Sequence, residues 1–142
     1  MADIYIVGTD GSEGSKRAVI YAAALARQTG AKLLLAHVIE WSRFEFMMSP
    51  DLEQRPAARD AEIARAKDKI LLAAEEAAGG LATESIVHHG HAATGLAELA
   101  TDHKASLIII GRQGHSNLND LLHGSVVNNL SKISPVPVTV VP

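Results

Sequence analysis

The amino-acid sequence predicts a single α/β domain, an open parallel sheet with helices on both faces. Three observations carry that expectation. Short runs rich in Val and Ile alternate with longer stretches of helical spacing. The short runs read as near-continuous apolar stretches, as strands covered on both sides must. Turn residues, Gly and Pro above all, stand at most of the junctions. Strands and helices alternating at these lengths imply right-handed βαβ crossovers. A chain of 142 residues fits one domain, 1–142.

Taken in order, residues 4–7 form the first strand, a brief apolar run that ends at Gly8. Ala18, Ala22, Leu25 and Ala26 then place a small apolar stripe on one face of a helix from about Ser12 to Thr29, with Gly30 as its stop. Residues 32–39 make the second strand. From Trp41 to Pro56 both periodicities lapse, and Trp41, Phe44, Phe46, Met47 and Met48 crowd together. So long a connection in a compact domain suggests a loop folded back on the core, a lid over a ligand or a partner-binding patch. Ile63, Ala66, Ile70, Ala74 and Ala77 mark the second helix, ended by Gly79 and Gly80. Residues 83–87 form the third strand, and Leu96, Leu99, Ala100 and His103 the third helix. After a fourth strand at 107–110, Val126, Val127, Leu130 and Ile133 mark a last helix closed by Pro135. The final strand runs from Val136 to Val141.

Composition removes several functions. Thirteen basic against sixteen acidic residues give a charge of −3, with no field that would favour nucleic acid or acidic membranes. The chain has no cysteine, which excludes disulfides, thiolate catalysis and Cys-based metal sites. No secretory leader is visible at the N-terminus, and the apolar runs fall short of the roughly 18 residues a membrane span requires. The expected compartment is the cytoplasm, with no membrane insertion.

In an open α/β sheet, ligands bind beyond the carboxyl ends of the strands, where the strand order reverses. The residues that follow the first and fourth strands therefore matter most. They are Gly8-Thr9-Asp10-Gly11-Ser12 and Gly111-Arg112-Gln113-Gly114, with Gly124-Ser125 expected to open the last helix. Glycines there let backbone N–H groups approach a phosphate, and a helix start adds further donors. Asp10 could accept from ribose hydroxyls or hold a metal that bridges phosphates. A Walker loop, a G-x-G-x-x-G fingerprint and a G-x-S-x-G elbow are all missing. Taken alone, the glycines leave a plain strand-to-helix turn as the alternative.

Gly111-x2-Gly114-x9-Gly124-Ser125 ahead of a Val-rich last strand resembles the nucleotide-binding signature of the universal stress protein family. The resemblance runs from Ile6-Val7-Gly8-Thr9-Asp10 through His37-Val38 to Pro135-Val136-Pro137-Val138. It implies a five-stranded parallel sheet in the order 3-2-1-4-5, Rossmann-like and similar to the adenine nucleotide α-hydrolase folds. It also implies the family's ATP-binding branch. Gly8, Thr9 and Asp10 would then contact the nucleoside, Val38 the adenine, and Ile110 and Gly111 the ribose. Gly114, Gly124, Ser125 and Val126 would cradle the phosphates. ATP with Mg2+ is the expected ligand, with AMP or ADP as alternatives. The resemblance further implies a homodimer through the last strand, Val136 to Val141, whose apolar edge would otherwise invite aggregation.

The histidines add little to this. His88, His89 and His91 cluster after the third strand, but neighbours in a strand point to opposite faces and share a metal poorly. His115 and His123 flank the phosphate loop and could approach a γ-phosphate, with surface or interface residues as the plainer reading, and His37 reads as a satisfied, buried histidine. No nucleophile, Walker-type lysine or water-positioning glutamine is evident, so no catalytic residue is assigned. The expected role is a regulatory stress-response protein whose nucleotide state alters binding to a protein partner. Slow Mg-dependent hydrolysis or phosphotransfer through Asp10, or an interaction protein with a vestigial site, are the alternatives.

Overall fold

A computed structural model describes residues 2–39, 60–61, 64–112 and 120–142. The segment from Trp41 to Pro56, Gly114 and His115 lie outside the described residues. Five strands, β1 (Ile4–Gly8), β2 (Lys32–Ile39), β3 (Thr83–His89), β4 (Leu107–Gly111) and β5 (Val138–Val141), form one sheet. Its order is β3-β2-β1-β4-β5, and every pairing is parallel. This is the expected 3-2-1-4-5 arrangement, and the order reverses between β1 and β4.

The first helix, α1 (Glu13–Thr29), starts and stops where its sequence dictates. Ser12 caps it, accepting a hydrogen bond from the Ser15 N–H at 3.2 Å. Gly30 ends it in the left-handed conformation, φ 76°, and its N–H donates to the Ala26 carbonyl. Few residues other than glycine adopt that φ without strain. The second helical segment departs from simple expectation. A π-helical turn, Ala66–Leu71, leads into the α-helix α2 (Leu72–Ala77). The wider turn shifts the phase by one residue, so that Leu71 and Ala74 are buried while Ile70 faces Gly11. Helices α3 (Ala92–Asp102) and α4 (Asp120–Ile133) complete the alternation.

Alternation along the strands divides the core in two. Val7, Leu33, Leu35 and Ile109 face α1 and α2, where small alanines (Ala18, Ala22, Ala26, Ala74) permit close helix-to-sheet packing. Ile6, Leu34, Ala36, Ile108 and Ile110 face α3 and α4, packed with Leu96, Leu99 and Leu130. A central sheet buried on both faces requires such apolar runs. Three expectations need correction. Val136 precedes β5, because Pro137 lacks the N–H that a ladder needs there, so the edge strand is Val138–Val141. Ile133 lies at the helix end and is 48% exposed, outside the core. The last helix opens at Asp120 rather than at Gly124-Ser125.

Candidate functional site

A cleft of about 560 Å³, including its open mouth, lies beyond the carboxyl ends of β1, β2 and β4. It is lined by Gly8, Thr9 and Asp10 from the β1 exit, Val38 from β2, Ile110 and Gly111 from β4, and Val126 from α4. Seven of the ten residues expected from the sequence therefore converge on one cavity. The chain places this cleft where β1 and β4, adjacent in the sheet, send their connections to opposite faces, a geometry that leaves a crevice between the two loops.

The β1 exit is held by a compact hydroxyl network. Asp10 Oδ1 accepts from the Ser12 N–H at 2.9 Å and makes a short bond with the Ser12 hydroxyl. The Ser15 hydroxyl donates to the Ser12 carbonyl at 2.9 Å, and the Thr9 hydroxyl donates to Ser15 Oγ at 3.2 Å. Thr9, Ser12 and Ser15 are all buried. Buried hydroxyls are costly unless bonded, and these are bonded to one another. Asp10 Oδ1, read from the sequence as open to ribose or metal, thus anchors the turn into α1.

His37 closes the other side of this turn. Its Nδ1 lies 2.7 Å from the Thr9 carbonyl, while the Thr9 N–H donates to the Ala36 carbonyl at 2.8 Å. The histidine is half-buried rather than buried. It is satisfied, as its sequence context suggested.

Gly111 owes its identity to packing. A Cβ built there would stand 2.6 Å from the Gly14 carbonyl oxygen and 2.8 Å from its carbon. The end of β4 and the first turn of α1 therefore touch backbone to backbone, and any side chain would force them apart. At Gly8 the neighbours are flexible side-chain ends instead, Leu96 Cδ1 at 3.2 Å and Ile110 Cγ2 at 3.3 Å.

Of the remaining expected residues, Gly114 lies outside the described ones. Gly124 and Ser125 sit in the second turn of α4, where backbone N–H groups are spent within the helix. The apolar spacing Leu122, Val126, Leu130 continues the helix back through them, which is why it does not start there. Sequence reasoning assigned no binding role to Ser12 and His37, which it had named, and missed Ala36, Ser15, Ala92, Leu96 and Val127, all of which also line the cleft. Ala92 and Leu96 were within reach of the strand-end rule, since α3 begins three residues after β3. The role of Ser15 depends on a three-dimensional hydroxyl contact that no spacing announces.

No group of three or more His, Asp and Glu side chains able to hold a metal occurs among the described residues. His88 Nε2 instead pairs with Glu98 at 3.3 Å, across to α3.

The fold and cleft define the class of the protein: a doubly wound α/β domain with a candidate ligand cleft at its β1/β4 reversal, walled by glycine and a capped helix start. The sequence profile of the universal stress protein family matches residues 1–142. The chain belongs to that family. A universal stress protein of Mycobacterium tuberculosis (strain H37Rv) is 32% identical, over 96% of this chain and 93% of its own length. Among solved structures, a universal stress protein described as in complex with cAMP is 31% identical and covers 99% of this chain and 96% of its own, with a TM-score of 0.65. UspA from Lactobacillus plantarum, 22% identical over 99% of this chain and 97% of its own, superposes with a TM-score of 0.74 and shares the fold. No helix among the described residues is long and apolar enough to cross a membrane.

Proposed function

We propose that the protein is a cytoplasmic ATP-binding regulator that works as a homodimer and alters its grip on a protein partner with nucleotide state. The observation that carries this reading is the convergence of Gly8, Thr9, Asp10, Val38, Ile110, Gly111 and Val126 on one cleft at the strand reversal. The similar solved chain with cAMP adds support for an adenine nucleotide. The base would lie against Val38 and the ribose along Ile110 and Gly111. The phosphates would extend toward Gly114, Gly124 and Ser125. The cleft suits an adenine nucleoside, being apolar at Val38, Leu96 and Ile110 and polar at the Thr9–Asp10 turn. Mg2+ would be held chiefly by the phosphates, since Asp10 Oδ1 is committed to Ser12.

The homodimer would form through β5. That strand is at the sheet edge, with Val140 37% exposed. Its outer edge, which no strand among the described residues pairs, suits a second copy across a two-fold axis.

Denaturing freshly purified protein and chromatographing the released nucleotides tests the ligand, together with calorimetric titration of ATP and Mg2+. Near-stoichiometric ATP, or micromolar binding of added ATP, is the expected result. An empty protein that ignores added ATP would refute the reading. Sedimentation of Val140→Glu tests the dimer, which should dissociate.

A further inference from the structure

Successive residues of a parallel strand send their N–H and C=O groups alternately to the two neighbouring strands. In β2 the phase is fixed at both edges. The Gly90 N–H donates to the Ile39 carbonyl on the β3 side, and the Thr9 N–H donates to the Ala36 carbonyl on the β1 side. Val38 therefore presents its N–H and C=O toward β1, as Ala36 does. Thr9 stands opposite His37 as the next rung of the ladder, and that rung would be completed by the Val38 N–H donating to the Thr9 carbonyl. It is not completed. The β1–β2 register ends with Gly8 opposite Ala36, and no backbone bond between Val38 and Thr9 occurs among the described residues. The Thr9 carbonyl meets His37 Nδ1 at 2.7 Å instead.

We propose that His37 is a positioning residue of the cleft: its ring engages the Thr9 carbonyl and so leaves the Val38 peptide edge, one donor and one acceptor, open to a ligand. The chemical class that fits is a planar heterocycle with an adjacent acceptor and amino donor, as on the pairing edge of an aminopurine. The identity of that ligand rests on the nucleotide-binding reading above; the geometry of the diverted rung does not.

The placement suits the task. A carbonyl oxygen only accepts, so Nδ1 must carry a proton, which it does in one neutral tautomer and in the cation alike. Alternation puts the His37 side chain on the Leu33 and Leu35 face and the Val38 side chain on the Leu34 and Ala36 face. The ring therefore reaches Thr9 from beneath the sheet edge and leaves the Val38 side clear. A strand-edge N–H and C=O left open at the floor of a cleft favour any ligand that can pair with both.

Backbone hydrogen exchange in nucleotide-free protein tests the proposal, with the Val38 amide referenced to Leu35 in the same sample so that changes in global stability cancel. In His37→Leu the freed Thr9 carbonyl should take up the Val38 N–H, slowing its exchange about tenfold, the size of one net hydrogen bond. In His37→Asn, whose side-chain N–H replaces Nδ1–H, the rate should stay within about threefold of native, a difference well below one hydrogen bond. Should His37→Leu fail to fold, His37→Asp, which can only accept, should behave as Leu is expected to. Unchanged Val38 exchange in the non-donating variant would overturn the proposal. Calorimetry with adenosine and inosine, whose pairing edges are reversed, supplies the second readout. The non-donating variant should lose about tenfold in adenosine affinity and the preference over inosine, and Asn should keep both. Native protein that binds no adenosine while Val38 still slows in His37→Leu would support the diverted rung and reject the nucleotide reading.

Discussion

Replacing Gly111 with alanine drives a methyl group into the backbone of α1. The new Cβ would stand 2.6 Å from the Gly14 carbonyl oxygen, 2.8 Å from its carbon and 3.2 Å from the Ser15 nitrogen. Favourable contacts between non-bonded carbons lie near 3.5–4.0 Å, so the strand end and the helix start must part by roughly 0.6–1 Å. No rotamer change relieves the clash, because both partners are main chain. Inserting a methyl group into a packed region costs about 1–3 kcal/mol, and the rigidity of this contact places the cost near 3 kcal/mol. With a urea m-value of about 2 kcal/mol/M, the unfolding midpoint should fall by about 1.5 M. The same displacement would spread the wall built by Thr9, Ser12 and Ser15, so nucleotide affinity should fall with stability. Urea titration followed by circular dichroism reads the first effect and calorimetry the second. Gly8→Ala is the matched control. Its Cβ meets side-chain ends that can turn aside, and it should cost under about 1 kcal/mol in midpoint stability. A Gly111→Ala midpoint within about 0.3 M of native would refute the argument that packing fixes this glycine, since about 3 kcal/mol should shift it several times further.

Other perturbations follow from the same coordinates. Ser12→Ala removes the α1 cap and the hydroxyl held by Asp10, and should cost about 1 kcal/mol in thermal or urea unfolding. Lys104 sits at φ 55°, so Lys104→Gly should relieve left-handed strain and raise stability by about 0.5 kcal/mol after glycine's entropy is counted. A lowered midpoint would contradict it. Ile109→Ala empties a fully buried position in the central sheet and should lose about 2–5 kcal/mol, read in the same urea titration.

The α/β architecture was legible because a sheet covered on both faces leaves its mark in the central strands, β1 and β4, as unbroken apolar runs. Gly30 and Ser12 marked the ends of α1 for local reasons, and locally determined features can be read from sequence. Pro137 should have shortened β5, since a missing N–H is visible in the sequence, yet the Val-rich run concealed it. The π-helical turn at Ala66–Leu71 was not legible. It arises because Leu71 gains burial at the expense of regular hydrogen bonding, a choice made by the sheet beneath it. In the cleft, the family resemblance added Val38, Ile110 and Val126, and strand-end reasoning reached Gly8, Thr9, Asp10 and Gly111. It gave Gly111 a ligand-facing purpose when the helix behind it already demands glycine. It read Asp10 as an acceptor for ribose or a metal, and did not foresee that Oδ1 also anchors the turn through Ser12. The two cases differ in cause: the backbone that crowds Gly111 belongs to Gly14, far away in the chain, whereas Asp10 bonds Ser12 two residues on, a local Asx turn that the Asp-Gly-Ser spacing already carries.

The β1–β4 pairing also has a consequence for how the molecule comes to exist. Tyr5 pairs with Leu107, and this contact closes a loop of about a hundred residues, whereas β1, α1 and β2 assemble through near neighbours in the chain. The two walls of the cleft thus belong to segments emerging from the ribosome far apart in time. A nascent chain ending before β4 would own half of the cleft and lack the wall that Ile110 and Gly111 supply. Any ligand held between the Thr9 turn and Gly111 stabilises only the finished sheet, so binding would act as a check on completed folding.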